Sequence, residues 1–180
     1  MQQDKFEGRY RIDSARLAEY DYGSNGMYFI TICTQDRERC FGEVIADKSG
    51  EWTIQPTIIG QRVIDGWFAI PHYQPSVLLD AFQLMPNHVH GILWICKSDY
   101  DDWQPNTFGP QRRNLASIVR GFKSGVKTFA TTNGLLFNWQ PRYYDRVIRD
   151  DDELRRIRHY IDANPSNWNK DRDNKENLYM

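Results

Sequence analysis

The first residues with chemical potential are two histidines one position apart. His88 and His90 flank Val89 and follow the turn-forming pair Pro86 and Asn87. Side chains alternate between the two faces of a strand, so residues i and i+2 point the same way. Two neighbouring imidazoles on one face can supply half of a metal site, while Val89 faces a core on the other side. A surface pair or a hydrogen-bonded core pair is the alternative interpretation.

The second candidate is a tyrosine near the end of a predicted C-terminal helix. Acidic residues at 150–153 precede arginines, an order that suits the helix macrodipole, and Pro165 ends the helix. Tyr160 and Asn164 are four residues apart and share one face, so a phenol hydroxyl and an amide oxygen project together. The alternative is a partly buried tyrosine and a C-capping asparagine. The stripe expected to be buried is Leu154, Ile157 and Ile161.

The elements that must position these residues alternate between strands and helices. Thr57 is expected to cap a helix that Pro71 ends, and Asn114 to cap another. Strands are expected at about 27–34, 41–45, 52–54, 77–84, 88–95 and 143–148. This order predicts an α+β fold: a ferredoxin-like antiparallel sheet with helices on one face and a C-terminal helix. That last helix must cover the strand surface that carries the histidine pair.

The length of 180 residues suggests one domain. We expect a flexible N-terminal arm at 1–20, a folded domain at 21–170 and a disordered tail at 171–180. No membrane span or export signal is visible. The three cysteines are widely spaced, which favours reduced thiols in the cytoplasm over a zinc or disulfide framework.

The distribution of charge is more informative than the net charge of −1. Residues 111–170 carry 12 basic and 6 acidic side chains, a local charge of +6, whereas the remainder carries −7. Local clustering sets the field that a phosphate backbone meets. Each cation taken singly is also explained as ordinary surface charge. The candidate phosphate contacts are Arg120, Lys123, Lys127, Arg142, Arg146, Arg155 and Arg158.

Several stretches resemble the single-tyrosine HUH transposases, in the branch of REP-associated tyrosine transposases. The matching stretches run in family order at 28–34, 85–92, 118–124, 139–145 and 157–165. The resemblance implies that His88 and His90 bind a divalent cation, that Tyr160 is the nucleophile on a catalytic helix, and that Asn164 is a third ligand. It also implies Mg²⁺ or Mn²⁺ as cofactor, although imidazole ligands alone would suggest Zn²⁺ or Mn²⁺.

The function implied is a single-strand DNA transposase or endonuclease that nicks and rejoins DNA through a 5′-phosphotyrosine. We expect single-stranded or hairpin DNA as partner, no membrane, no small-molecule cofactor, and a cytoplasmic, nucleoid-associated protein. A homodimer stays open, because a two-fold partner could donate its tyrosine helix. Two alternatives remain. A non-catalytic nucleic-acid-binding module would be insensitive to Tyr160→Phe, and a zinc hydrolase unrelated to DNA would turn over small esters.

Overall fold

A computed structural model describes residues 5–6, 9–10, 20–100 and 112–170. Two short strands, β1 (Lys5–Phe6) and β2 (Arg9–Tyr10), pair antiparallel with each other. Residues 1–4, 7–8 and 11–19 of the expected N-terminal arm and all of the expected tail at 171–180 lie outside the described residues. None of the helices in the described ranges is long and apolar enough to cross a membrane.

Four antiparallel strands form the main sheet. They are β3 (Gly26–Cys33), β6 (Val77–Met85), β7 (His88–Ile95) and β8 (Tyr144–Ile148). A separate hairpin consists of β4 (Gly42–Ala46) and β5 (Trp52–Pro56). The helices are α1 (Ile58–Phe68), α2 (Ile70–Tyr73), α3 (Leu115–Thr132) and α4 (Asp151–Asp162).

The strand order of the main sheet is β6-β7-β3-β8. If these four strands are numbered 1 to 4 in the order in which they occur along the chain, their order across the sheet is 2-3-1-4. The connection from β3 to β6 contains α1, and the connection from β7 to β8 contains α3. This is the ferredoxin-like topology, so the predicted fold class is confirmed. The topology places β7, the strand with both histidines, inside the sheet between β6 and β3.

The two faces of the sheet are covered by different helices. On one face α1 and α3 build the larger core, in which Val89 is buried. On the other face α4 builds a smaller cluster with Leu154 and Ile161 against Phe29 and Ile92. Because His88 and His90 alternate with Val89 along β7, both imidazoles lie on the α4 face. The last helix thus covers the surface that the sequence predicted it would cover.

Side-chain caps begin α1 and α3 where the sequence predicted, and the structure adds a cap on α4. Thr57 accepts a hydrogen bond at the start of α1, Asn114 forms a capping box at the start of α3, and Asp150 caps α4. The expectation that Pro71 ends the first helix is wrong. α1 ends at Phe68, and Pro71 lies in the first turn of α2, where a missing N–H breaks no helical hydrogen bond.

Gly91 lets Trp67 of α1 pack directly on the backbone of β7. A Cβ built on Gly91 would collide with the Trp67 ring. We expect Gly91→Ala to lower the free energy of unfolding by about 1–3 kcal/mol through overpacking. The matched control is Gly121→Ala in α3, where the described residues put no atom within 4 Å of the added Cβ apart from the neighbouring backbone of the helix itself. That change should stabilise the helix by up to about 1 kcal/mol. Denaturant unfolding measures the free energy of unfolding of both variants. Equal effects of the two changes would contradict the packing argument.

Candidate functional site

The two histidines meet through their ring nitrogens. His88 is 0% and His90 2% exposed, and their Nε2 atoms lie 3.0 Å apart. The pair begins β7 directly after the turn at Pro86 and Asn87, as the sequence predicted. Their burial has a tertiary cause, because the ring of Trp168 lies 6.1 Å from that of His88 and α4 covers His90.

The outer nitrogen of each imidazole also has a polar neighbour. Asn87 Oδ1 lies 2.8 Å from His88 Nδ1, and Thr31 Oγ1 lies 2.9 Å from His90 Nδ1. Thr31 is opposite His90 in the register between β3 and β7. Neither Thr31 nor Asn87 was among the site residues predicted from the sequence. Asn87 could have been found from its position next to His88, whereas Thr31 is 59 residues from His90 and only strand register reveals it.

Tyr160 comes to the histidine pair from α4. Its hydroxyl lies 3.3 Å from His90 Nε2, and its ring packs edge-on against His90 and Phe29. The residue remains 46% exposed, so Tyr160 is not sealed inside the protein. The contact is made within one chain. The geometry therefore brings a phenol to an imidazole 70 residues away in the sequence, and that imidazole contacts the second one.

Asn164 provides an unpaired buried oxygen just beyond α4. The residue is 4% exposed, and its backbone N–H donates to Ile161 at 3.2 Å. Within the described part of the chain, its Oδ1 has no hydrogen-bond partner. Buried polar atoms are nearly always bonded, so an orphaned amide oxygen is the kind of atom a ligand satisfies.

The donor set fits a divalent cation. Two imidazole nitrogens that face each other and a buried amide oxygen are mixed nitrogen and oxygen donors, which divalent ions of intermediate hardness accept. The described residues contain no group of three His, Cys, Asp or Glu side chains placed to hold a metal ion. The family resemblance predicts Asn164 as the third ligand beside His88 and His90, and its orphaned Oδ1 is an oxygen donor suited to that role.

Ion pairs on both sides hold α4 over the sheet. Arg146 of β8 donates to Glu153 at 2.5 Å, and Arg158 donates to Asp80 of β6 at 2.8 and 2.5 Å. Glu153 also accepts the backbone N–H of Arg149 at 3.0 Å. That N–H lowers the pKa of Glu153 most, and Arg146 lowers it further. The helix that carries Tyr160 is thus attached to both edge strands of the sheet.

The lowered pKa of Glu153 predicts a pH-dependent contribution to stability. A depressed folded-state pKa stabilises the fold above the unfolded value, about 4.3, and this stabilisation is lost as pH falls through the folded value. We expect Glu153→Gln to lower the free energy of unfolding by about 1–3 kcal/mol near neutral pH. The difference from the wild type should shrink in strong acid. Urea unfolding of both proteins near neutral pH and in strong acid measures this difference. A difference in stability that is the same at the two pH values would contradict the proposed role of the Glu153 carboxylate.

The three predicted phosphate contacts on α3 lie on the face of the sheet opposite α4. Lys123 Nζ donates to the carbonyl of Gln140 at 2.6 Å, and Lys127 Nζ donates to that of Phe137 at 2.7 Å. Burial also lowers the pKa of Lys123. Arg120 is exposed on the same helix. The structure therefore does not bring these three cations to Tyr160.

The other four predicted contacts lie on α4, on β8 or just before β8. Arg146 and Arg158 are the ion-pair partners that hold α4, and Arg155 pairs with Asp152 one turn away. Arg142 is exposed just before β8. Two of the four are thus engaged in positioning the tyrosine helix.

A groove between β8 and α4 contains two arginines that were not among the predicted phosphate contacts. Its volume is about 440 Å³. Its lining includes Tyr144, Arg149 and Arg156, together with the acidic residues Asp145, Asp150 and Glu153. Arg156 precedes Tyr160 by four residues and shares its face of α4. Tyr144 is 45% exposed, and both it and Tyr160 pack edge-on against Phe29 with ring centroids 6.2 Å away. Spacing along the helix is the signal that could have found Arg156.

Comparison with known proteins finds a relative that is similar in sequence and a solved structure that has the same fold. No protein-family model matches the chain. A protein of Haemophilus influenzae, described as uncharacterized, is 38% identical over 173 residues, which cover 91% of this chain and 93% of that one. The solved structure of a REP-associated tyrosine transposase bound to a REP hairpin superposes with a TM-score of 0.59. It is 20% identical and covers 87% of this chain and 74% of its own, a likeness that shows the fold. The chain belongs to the same family as the Haemophilus influenzae protein and has the fold of the REP-associated tyrosine transposase.

Proposed function

We propose that this protein is a metal-dependent transposase or endonuclease that nicks and rejoins single-stranded DNA through a 5′-phosphotyrosine. The observation that carries the proposal is the Tyr160 hydroxyl, 3.3 Å from His90 Nε2 and beside a second buried imidazole. The orphaned Oδ1 of Asn164 supports a cation at this place. The fold shared with a transposase bound to a REP hairpin supports hairpin-bearing DNA as the partner.

The proposed chemistry divides the work between a cation and the tyrosine. His88 Nε2, His90 Nε2 and Asn164 Oδ1 would hold Mg²⁺ or Mn²⁺. When bound, the cation draws charge from a phosphate oxygen and stabilises the transition state. A phenol, with an ordinary pKa of about 10, is a weak nucleophile at neutral pH, which is why such help is needed.

Tyr160 supplies the oxygen that forms the new bond to phosphorus. The 3′-oxygen leaves as this bond forms, and the proton of the phenol is replaced overall by a proton on the free 3′-hydroxyl. The phosphodiester bond is exchanged rather than hydrolysed, so a later 3′-hydroxyl can reverse the step and join strands. The ion pairs Arg146–Glu153 and Arg158–Asp80 keep the phenol over the imidazoles, and orientation of this kind lowers the barrier.

A covalent adduct tests the proposal directly. We expect labelled single-stranded hairpin DNA from repeats flanking the gene to become covalently attached to the protein in Mn²⁺, as a shifted band on a denaturing gel. Excess chelator and fully duplex DNA of the same sequence are the controls. Binding without an adduct would support the non-catalytic module instead. Turnover of small esters with no preference for DNA would support the hydrolase.

The groove between β8 and α4 is the proposed path of the DNA strand toward Tyr160. Arg156 and Arg155 are adjacent exposed residues of α4, but only Arg156 lines this groove. We expect Arg156→Glu to weaken hairpin binding and to reduce the salt dependence of log K by roughly 0.7 per lost phosphate contact. Arg155→Glu makes the same charge change and should have the smaller effect. Fluorescence anisotropy at several salt concentrations measures both, and equal losses would contradict this path.

A further inference from the structure

We infer that Thr31 and Asn87 are positioning residues that set the tautomers of the two imidazoles. Asn87 holds His88 in one tautomer, whereas the Thr31 hydroxyl lets His90 exchange tautomers when a divalent cation binds. The inference rests on the proposed function, because it concerns how the chain prepares that same cation site. It follows from four polar contacts that form a continuous row.

The row begins at Asn87. Its Nδ2 donates to the backbone carbonyl of Arg37 at 3.2 Å, which fixes the orientation of the amide. Its Oδ1 therefore faces His88 Nδ1 at 2.8 Å. An amide oxygen only accepts hydrogen bonds, so the hydrogen in this contact belongs to Nδ1. In a neutral imidazole the other nitrogen then carries a lone pair, and His88 Nε2 is an acceptor.

The 3.0 Å contact between His88 Nε2 and His90 Nε2 fixes the next hydrogen. Two lone pairs at that distance would repel each other, so without a cation the contact needs one hydrogen. Because His88 Nε2 is the acceptor, that hydrogen belongs to His90 Nε2. His90 Nδ1 then carries a lone pair, and the Thr31 hydroxyl, at 2.9 Å, donates to it.

A cation between the rings requires the opposite arrangement at His90. Both Nε2 atoms must then offer lone pairs, so His90 releases its Nε2 hydrogen to solvent and takes up one at Nδ1. The charge of the ring is unchanged, but Nδ1 now needs an acceptor. A hydroxyl is both donor and acceptor and rotates to suit, so Thr31 serves both states. It is 8% exposed, and a buried N–H without an acceptor would be costly.

Matched substitutions separate this role from simple packing. Thr31→Val keeps the shape of the side chain and removes the hydroxyl, whereas Thr31→Ser keeps the hydroxyl. Loss of a group that orients a histidine ligand typically weakens metal affinity by about 10–100-fold. We expect a loss of that size for Thr31→Val and recovery to within a few-fold for Thr31→Ser. Isothermal titration of the full chain with Mn²⁺ measures affinity, and thermal unfolding without metal checks the fold.

Asn87 offers a second pair of variants. Asn87→Asp keeps an oxygen acceptor toward His88 Nδ1, and Asn87→Ala removes it. We expect Asn87→Ala to lose Mn²⁺ affinity by about 10–100-fold and Asn87→Asp to bind as tightly as the wild type or more tightly. Both variants lose the hydrogen bond to the Arg37 carbonyl, so this loss cannot explain a difference between them.

Nitrogen-15 NMR of the imidazoles reads the tautomers themselves, in a mildly alkaline buffer where histidine is neutral. Without metal we expect hydrogen on Nδ1 of His88 and on Nε2 of His90. Diamagnetic Zn²⁺, used as the probe, should move only the hydrogen of His90 to Nδ1. A His90 tautomer that is the same with and without bound Zn²⁺, or full Mn²⁺ affinity in Thr31→Val, would overturn the inference while leaving the proposed function intact. Failure of the wild type to bind either ion would count against the proposed function, and the metal-free spectrum would still confirm or refute the assigned tautomers.

Discussion

Tyr160→Phe is expected to form no covalent adduct with hairpin DNA while keeping its fold and its affinity for DNA and for Mn²⁺. The substitution removes one oxygen, and the ring still packs against His90 and Phe29. The side chain is 46% exposed, so loss of the hydroxyl should leave the free energy of unfolding nearly unchanged. Removal of a covalent nucleophile typically lowers the rate by about 10⁴-fold or more. Adduct formation on a denaturing gel measures the effect.

Tyr144→Phe is the matched control for that experiment. Tyr144 is 45% exposed and contacts the same Phe29 ring, but it lies on β8 rather than on α4. We expect Tyr144→Phe and Tyr143→Phe to keep adduct formation. Mass spectrometry of the digested adduct should find the nucleotide on the peptide that contains Tyr160. A nucleotide on another tyrosine, or an active Tyr160→Phe enzyme, would refute the mechanism.

Removal of both imidazoles is the second change with a large expected effect. His88→Ala combined with His90→Ala should abolish cleavage, because the proposed cation would lose two of its three protein ligands. Both side chains are buried, so alanine also opens a cavity and lowers stability. His88→Leu with His90→Leu keeps more of the volume and offers no ligand atom, so it should abolish cleavage at a smaller cost in stability. Cleavage assays and thermal unfolding on the same samples distinguish loss of chemistry from loss of fold.

Asn164→Ala provides a graded comparison at the same site. Water can replace a neutral oxygen ligand, so this variant should lose less Mn²⁺ affinity and less activity than the histidine variants. Its orphaned Oδ1 costs free energy while no ligand binds it, so its removal should not destabilise the metal-free fold strongly. Full cleavage in excess chelator, or by the double histidine variant, would remove the cation from the mechanism.

Local patterns in the sequence were sufficient to predict the elements and several site relationships. Strand alternation predicted that His88 and His90 share a face with Val89 opposite, and the structure confirms both. Helix spacing predicted the stripe on α4, and cap residues predicted where α1 and α3 begin. These patterns succeed because periodicity and capping depend on residues within a few positions of one another. The order of elements was enough to predict the ferredoxin-like sheet.

Only the tertiary structure decided what each of these residues meets. Strand register placed Thr31 beside His90, and the short 3-10 helix after α4 (Pro165–Lys170) placed Trp168 next to His88. The charge pattern identified basic residues but not their partners: the lysines of α3 bind backbone carbonyls, and Arg146 and Arg158 hold α4 in place. Register and ion pairing join residues far apart in the chain, and the energy of each contact depends on burial that only the folded chain creates. Local sequence therefore determined which groups point together, whereas packing across the sheet determined the chemistry they can perform.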